Sequence, residues 1–518
     1  MLRNYLNSSD IKLNLYGVYI IKNFLEKYQY DDYSIKMITD QLNDEYLLLL
    51  TSLLNKNNKK LSFNILIILV NVSFTDEGEL LFGHEEKVIS NIASFMGNNR
   101  TDINLLDFGI LLIKNITHKN SLVKQIFKNY NLIQFFNEIY DKFLLDTNFM
   151  RNLILCIGHF VDSRFGDPNI LSSIKIIKTQ LKSCIPVESL TQYVYILYNL
   201  SFYADPQIIE EMVKNEIHKD FMNIYPFNTD NNIKINQKYE EQKNENNNKI
   251  IIEEKEDVAT KNKKLSLLIL KTLGKMLSLE NNNINKTIVD SGIGKFLNKV
   301  FQSTDIKIIK NAFFCLSNIC AGTYGQISNL YDNDTIFEAF KVAQYVFDTL
   351  DSNNKFINSF ITEDFINAFR EINYTIALVI INSLFERLIP YVRNHNYAII
   401  KVLLKGLQIF SDNNIDNKNK LLIIYILNAI SKINEYEKNN DEEELIMSNL
   451  IKFPQFLEQN GFKELLGKLL INQDENIVDV TETIYDELYD DNINNNDNIN
   501  IDDIVEDEDN DDEFEEKY

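Results

Sequence analysis

A short pattern recurs along this chain at intervals of about 44 residues, and that period constrains the fold more than any other feature of the sequence. The pattern is an apolar stretch that ends in a polar residue and continues into turn-forming residues, as in ILVNVSFTD and LSNICAGTY. The polar residue of each copy, here called its marker, falls at Asn71, Asn115, His159, Asn199, Lys275 and Asn318. Successive markers are separated by 44, 44, 40, 76 and 43 residues.

The residues between the markers are patterned as helices. Only 6 Pro and 15 Gly interrupt 518 residues, and apolar side chains recur at three- and four-residue steps almost throughout. Both observations indicate helix after helix. Helical repeats of about 40 to 47 residues are typical of armadillo and HEAT solenoids, in which a repeat is stable only when stacked on its neighbours. We therefore predict an all-α fold, an armadillo-type right-handed superhelical solenoid of about nine repeats over residues 1–490.

Two segments depart from this pattern. Residues 226–263 are rich in Asn, Glu and Lys and lack an apolar face, so they are predicted to be a disordered loop that lengthens one interval. Residues 491–518 have neither a period nor a core and are predicted to be a disordered acidic tail. Two further periods after Asn318 lead to Lys405, which places Asn382 outside the predicted register.

The charge of the chain bears on its partners. The formal net charge is −23, and residues 486–518 alone hold sixteen acidic residues against one Lys. Nucleic acids and anionic membranes attract cationic surfaces, so we predict that neither is a partner and that basic protein segments are. No apolar run approaches the roughly 20 residues that span a bilayer. The N-terminal residues also lack the pattern of a signal peptide.

Signs of catalysis are missing from the sequence. It contains no HExxH, CxxC or paired-carboxylate motif, and its five His residues do not stand in ligand spacing with its four Cys. The segment Gly292-Ile293-Gly294-Lys295 lacks the spacing of a phosphate-binding loop and is interpreted as a turn between repeats. We predict a protein that binds other proteins, is not an enzyme, and needs no cofactor or metal.

Three segments resemble one armadillo family, importin alpha. Residues 317–322, SNICAG, with Gln326-Ile327 after them, resemble the S-N-I-x-A-G turn of that family and its following Q-I. Residues 456–465 and 473–477 resemble its closing E-x-x-G-G-L-x-x-I and H-E-N-x-x-I segments. A weaker match is residues 405–409, KGLQI, where the family has N-G-L-E-N-I.

This resemblance implies a peptide-binding groove. In importin alpha the third helix of each repeat carries a W-x-x-x-N pair, whose Asn bonds the main chain of an extended peptide and whose Trp holds Lys and Arg stems. Here the Asn is matched at four markers, and the Trp position holds Ile67, Leu111, Leu155, Tyr195, Lys271 and Phe314. A family aspartate that engages the cargo lysine corresponds to Lys119. The implied groove residues are Asn71, Asn115, His159, Tyr195, Asn199, Phe314 and Asn318.

Two hypotheses for function follow. The first is an importin-alpha-like adaptor of the cytoplasm and nucleus, which binds basic nuclear-localisation segments of cargo and engages nuclear transport receptors. The second is an armadillo scaffold without transport activity, which the lost Trp positions and Lys119 favour. The Asn markers could instead cap helix ends, and Tyr195 and Phe314 could belong to the core. An acidic groove lined by the Asn markers would support the adaptor, whereas an apolar or basic one would support the scaffold.

Overall fold

The computed structural model describes fourteen stretches of the chain, and all regular secondary structure in them is helical. The described residues are 1–27, 44–74, 81–118, 120–144, 146–161, 170–181, 186–202, 205–226, 251–279, 281–352, 362–411, 417–440, 451–472 and 474–489. They fall into two compact units, Met1–Leu384 and Phe385–Tyr518. No described helix is both long enough and apolar enough to cross a bilayer.

The helices of the first unit are α1 to α20. Their bounds are α1 Leu2–Leu6, α2 Ile11–Lys27, α3 Asp44–Leu54, α4 Lys59–Val72, α5 Glu86–Asn98, α6 Ile103–Thr117, α7 Ser121–Asn129, α8 Leu132–Tyr140, α9 Thr147–Gly158, α10 Ile170–Leu181, α11 Val187–Phe202, α12 Pro206–Lys214, α13 Ile217–Ile224, α14 Ile251–Leu277, α15 Asn282–Asp290, α16 Ile293–Val300, α17 Ile306–Cys320, α18 Tyr324–Asp332, α19 Thr335–Ser352 and α20 Glu363–Ile381. The second unit contains α21 Phe385–Asn394, α22 Ala398–Phe410, α23 Asn417–Asn440, α24 Phe453–Gln459, α25 Phe462–Leu469 and α26 Glu475–Tyr489.

These helices form repeats of a first, a second and a third helix. In the first unit the third helices α2, α4, α6, α9, α11, α14, α17 and α20 each pack on the next one. Several second helices pack on one another in the same way, as α8 does on α10 and α10 on α13. In the second unit α23 packs on α26, and α22 on α25. The described residues thus contain ten third helices, close to the predicted number of about nine repeats.

Polar side chains fix where many of these helices begin. Asp102, Asp146 and Asp305 precede third helices, and each accepts a hydrogen bond from a backbone N–H in the first turn of its helix. Such caps satisfy donors that the helix itself cannot. Asp102 also pairs with Lys59 at 2.8 Å, which joins α6 to the start of the preceding third helix.

A left-handed residue separates the first from the second helix in repeat after repeat. Non-glycine residues with positive φ stand there at Asn131, Glu216, Asp334 and Tyr397, and glycines at Gly292 and Gly461. The junction turns tightly, because only two residues intervene between the two helices at five of these six positions. The prediction that Gly292 and Gly294 form a turn between repeats is therefore wrong, because Gly292 lies within a repeat and Gly294 is the second residue of α16.

The predicted loop 226–263 is wrong over its last part, since α14 begins at Ile251. Lys261 pairs with Glu188 at 2.6 Å and Lys263 with Asp305 at 2.5 Å, so the polar start of α14 is held between flanking third helices. Glu- and Lys-rich segments have high helix propensity even where they lack an apolar face. Residues 227–250 and the tail 491–518 lie outside the described residues. In the repeat, residues 227–250 and 353–361 both fall between a second helix and a third one.

Candidate functional site

The markers lie at the C-terminal ends of the third helices, as predicted. Asn71, Asn115, Asn199 and Asn318 are in the last turns of α4, α6, α11 and α17, and His159 directly follows α9. All five side chains are half-buried. Together with the half-exposed side chains one to three turns before them, they form what we call the marker face of the third helices.

Several markers bond to the preceding repeat. The Asn115 amide donates to Ser73 Oγ at 3.0 Å, and the Asn318 amide donates to the Gly274 carbonyl at 3.1 Å. Asn71 donates only within its helix, to the Ile67 carbonyl at 2.7 Å. For Asn199 there is no side-chain hydrogen bond to a residue that the structure describes. Two of the four Asn markers therefore bond to the preceding repeat, and Asn71 bonds within its own helix.

The marker amides nevertheless retain hydrogen-bonding capacity. An Asn side chain offers two donors and a carbonyl oxygen. Within the described part of the chain, the side-chain oxygens of Asn71, Asn115 and Asn318 accept no hydrogen bond. All three are partly exposed and can accept from the main chain of a bound segment; Asn71 and Asn115 lie one repeat apart, and Asn318 lies four repeats beyond Asn115.

The next marker is Asn382, which the sequence prediction placed out of register. It directly follows α20, and its amide donates to the Cys320 carbonyl at 3.0 Å, just as Asn318 bonds Gly274. Lys405 instead lies in the middle of α22, a second helix. The repeat that ends at Asn382 is longer than the others, because it contains the long α19 and residues 353–361. Counting two periods of about 44 residues from Asn318 therefore led to Lys405 instead of Asn382. Lys119 lies outside the described residues.

His159 occupies its marker position as a neutral imidazole. Its Nδ1 lies 3.2 Å from Thr117 Oγ1, whose hydroxyl donates to the Ile113 carbonyl at 2.6 Å. Nδ1 therefore carries the proton, and Nε2 faces His118 Nδ1 at 3.4 Å. Burial, with the neighbouring His118, lowers the pKa of His159 to about 3. The histidine thus joins two repeats as Asn115 does and adds no positive charge near neutral pH.

The aromatic residues at the Trp positions have different surroundings. Tyr195 is 45% exposed. Phe314 is half-buried, and its ring lies so close to the Gly274 backbone that a Cβ built on Gly274 would stand 2.4 Å from Phe314 Cδ1. Phe314 therefore packs between α14 and α17, which was the alternative to a groove role, whereas Tyr195 projects from the marker face.

Lysines of the chain itself fill the aromatic surface around Tyr195. Tyr195, Tyr198 and Phe202 form a row on α11, with ring centroids 6.4 and 5.9 Å apart. Lys271 Nζ stands 6.0 Å from the Tyr198 centroid and Lys275 Nζ 5.3 Å from that of Phe202. A cation above the face of an aromatic ring is attracted to that ring. The rings of Tyr198 and Phe202 are thus covered by the Trp-position and marker lysines of α14.

A cleft of about 440 Å³ opens on the marker face between α6 and α9. Its lining residues are Asp107, Lys114, Asn148, Arg151, Asn152 and Leu155. The Asn152 amide donates to Asp107 Oδ1 at 3.0 Å. Burial lowers the pKa of Lys114, Arg151 lowers it further, and Asp107 opposes the shift.

The marker face is mainly cationic in the described residues of α6, α9, α14 and α17. Lys114, Arg151, Lys271, Lys275 and Lys310 stand on it, with Asp107 as an acidic neighbour. On α20, Glu371 accepts a hydrogen bond from Ser317, and burial raises its pKa to about 7. The net negative charge of the whole chain did not predict a cationic marker face, because the acidic residues are concentrated elsewhere in the sequence.

Comparison with known proteins identifies the fold. No family model matches the sequence, and no curated protein matches it. An engineered protein of known structure aligns over 94% of this chain and 98% of its own, with a TM-score of 0.60 and 14% identity. A chain from a structure of the interaction between cadherin and beta-catenin aligns over 94% of this chain and 90% of its own, with a TM-score of 0.56 and 9% identity.

A computationally designed armadillo repeat protein made for modular peptide recognition covers 61% of this chain and 99% of its own, at 15% identity and a TM-score of 0.41. That score is too low to carry an argument. The likenesses over 94% of the chain, with the three-helix repeats described above, confirm an α-solenoid of the armadillo type. They support the armadillo fold and not importin alpha in particular.

Proposed function

We propose that this chain is a protein-interaction scaffold that binds an extended segment of a partner along the marker face. The observation that carries this proposal is the row of marker amides on α4, α6 and α17 and after α20, each with a side-chain oxygen that no described residue bonds. An extended peptide has unpaired main-chain N–H and C=O groups, and side-chain amides at regular intervals can hold them without reading its sequence. The proposal assigns the chain no catalytic reaction.

The fold supports a binding role. A solenoid presents a long preformed surface, which lowers the entropic cost of ordering a flexible partner on it. One of the similar structures is of the interaction between cadherin and beta-catenin, so the same fold occurs where proteins bind one another.

The charges of the marker face favour an acidic partner segment over a basic one. Lys114, Arg151 and Lys310 would repel Lys and Arg side chains and attract Asp and Glu. Lys271 and Lys275 already lie over the rings that would otherwise hold basic stems. The partner we propose is therefore a protein with an extended acidic stretch.

The nuclear-import adaptor is the competing hypothesis. Its support is the resemblance of residues 317–322 and 456–477 to importin alpha. It would require basic segments to bind this cationic face, together with nuclear transport receptors and a distribution between cytoplasm and nucleus. The two hypotheses predict opposite charges for the bound peptide, so one binding experiment separates them.

The experiment is a fluorescence-anisotropy titration with three labelled peptides of equal length: one rich in Glu, one carrying a basic nuclear-localisation signal, and one neutral. Each is titrated with the full chain and with an Asn115, Asn318, Asn382→Ala triple variant. The matched control is an Asn99, Asn215, Asn333→Ala triple variant. Each of these three amides donates to a helix carbonyl four residues earlier, but none lies on a third helix.

We expect the Glu-rich peptide to bind, the marker variant to lose most of that affinity, and the control variant to keep it. Binding should weaken with added salt but persist at physiological ionic strength, because main-chain hydrogen bonds are less sensitive to screening than charge pairs. Preferential binding of the basic peptide, lost in the marker variant, would replace our proposal with the import adaptor. If the full chain, the marker variant and the control variant bind a peptide equally, or if no peptide binds the full chain, the marker face is not the binding surface.

A further inference from the structure

We infer that the cleft between α6 and α9 is a subsite for an anionic side chain of the bound partner segment, with Lys114 and Arg151 as its cationic contacts. The inference rests on the proposed function, since it assigns a particular place on the marker face to a particular chemistry. The third helices α6 and α9 pack on each other, and the cleft lies along their exposed side.

The two cations of the cleft have no strong partner within the described residues. Lys114 is half-buried and Arg151 is exposed, and neither makes a hydrogen bond or an ion pair to a described side chain. Asp107 is the carboxylate among the residues lining the cleft, and one of its oxygens already accepts the Asn152 amide at 3.0 Å. Two cations facing one occupied carboxylate leave the cleft with an excess of positive charge.

The partial burial of Lys114 strengthens the attraction of the cleft for an anion. A partly desolvated ammonium group that lacks a partner loses hydration without compensation, so an incoming anion gains more there than at a fully exposed lysine. The guanidinium of Arg151 can bond a carboxylate or a phosphate through two N–H groups at once. The shared chemistry of the ligand is therefore a carboxylate or phosphate group on a flexible side chain.

The neighbouring residues suit a peptide that carries such a group. Asn115 directly follows Lys114, so a segment whose main chain meets this marker would have its side chains within reach of the cleft. Leu155 supplies an apolar wall for the stem of a Glu side chain, and Asn148 adds a polar side chain to the lining. A basic side chain would meet two like charges at the same place.

The test uses five variants of the full chain with two labelled peptides, one rich in Glu and one with phosphoserine at the same positions. Lys114→Gln and Arg151→Gln each remove one cation, Asp107→Asn removes the opposing carboxylate, and Lys114→Arg keeps the charge. Lys87→Gln is the control, since Lys87 is an exposed lysine on the second helix α5. Thermal unfolding of each variant verifies that it is folded.

We expect Lys114→Gln and Arg151→Gln each to weaken binding by about fivefold, as loss of one half-exposed charge contact does. Asp107→Asn should tighten binding, and Lys114→Arg and Lys87→Gln should leave it nearly unchanged. A purely structural role of these residues would not produce tighter binding in Asp107→Asn. A preference for the phosphoserine peptide identifies phosphate as the favoured anion, and equal binding shows that a carboxylate suffices.

Two other results would overturn the inference in distinguishable ways. If the Glu-rich peptide binds the wild-type chain, Lys114→Gln, Arg151→Gln and Asp107→Asn alike, the subsite is wrong while the scaffold proposal stands. If neither peptide binds the wild-type chain, the proposed function itself fails and the subsite with it.

Discussion

The side-chain amide of Asn382 donates a hydrogen bond to the backbone carbonyl of Cys320, at 3.0 Å across one repeat boundary. Asn318 makes the same bond to Gly274. In both cases the acceptor is a backbone carbonyl in the last turn of the preceding third helix, and the Gly274 carbonyl also accepts the Ser278 N–H at 2.9 Å. The marker amide therefore connects neighbouring repeats whether or not a ligand is present.

We predict that Asn318→Ala lowers the free energy of unfolding by about 1 kcal/mol, because it removes a partly buried hydrogen bond between neighbouring repeats. Denaturant unfolding followed by circular dichroism measures the change. Asn311→Ala, on the same helix, is the matched control, since its amide donates only to the Lys307 carbonyl four residues earlier. That control should be neutral or slightly stabilising. Equal effects of the two substitutions would contradict a role of Asn318 between repeats.

Gly274→Ala should destabilise the chain by roughly 1–3 kcal/mol, because the added methyl group would overlap the Phe314 ring. Gly325→Ala is the control: a Cβ at Gly325, within α18, meets no atom within 4 Å, and Ala favours the helix. Differential scanning calorimetry distinguishes the two. A Gly274→Ala, Phe314→Leu double variant should regain part of the loss, and absence of any regain would show that Phe314 is not the obstacle.

Asn131 has φ of 51° at the junction between α7 and α8, and its side chain makes no capping hydrogen bond. Asn131→Val should cost about 1–2 kcal/mol, because β-branched residues are strained in the left-handed region. Asn131→Gly should be neutral or slightly stabilising. Both are measured by thermal unfolding beside Asn129→Val, in which a helical residue two positions earlier is changed. A similar loss from the two Val substitutions would count against strain at the junction.

Glu371 makes stability depend on pH, since its pKa is raised from 4.5 to about 7 by burial. Below the unfolded value the group is protonated in both states. As pH rises from 4.5 towards 7, the carboxyl of Glu371 ionises in the unfolded chain but stays protonated in the folded one. The stability of the folded chain therefore falls over this range. Glu371→Gln should therefore be more stable than wild type by about 1–3 kcal/mol near pH 8, with little difference near pH 4. Lys310 and Ser317 oppose the shift.

The measurement is urea unfolding across this pH range, with Glu363→Gln as the control at an exposed position in the first turn of the same helix. The control should show no pH-dependent gain. If the difference in the free energy of unfolding between wild type and Glu371→Gln is the same near pH 4 and near pH 8, Glu371 ionises as readily in the folded chain as in the unfolded one.

The period of the markers was sufficient to predict the helical solenoid, the approximate number of repeats and the positions of all six markers at third-helix ends. It failed at Asn382, because equal spacing cannot account for a repeat lengthened between its second and third helices. The start of α14 was missed because an apolar face was the criterion for a helix, whereas ion pairs such as Lys261 with Glu188 hold this one.

The character of the marker face could not be predicted from composition. Its cations are few, and their effect depends on which side of each helix they occupy and on what lies across from them. The sequence could not show that Lys271 and Lys275 cover the rings of Tyr198 and Phe202, because those rings lie on a helix far from theirs in sequence.

Residues 227–250 and 353–361 both fall between a second helix and the third helix that follows it. The contacts that define each repeat are made by the helices on either side of this junction, so added sequence there need not alter how one repeat packs on the next. Sequence can be added to such a chain at this junction while the packing of the third helices that form the marker face is kept. A fluorescent reporter or a protease site inserted between residues 226 and 251 would exploit the same tolerance.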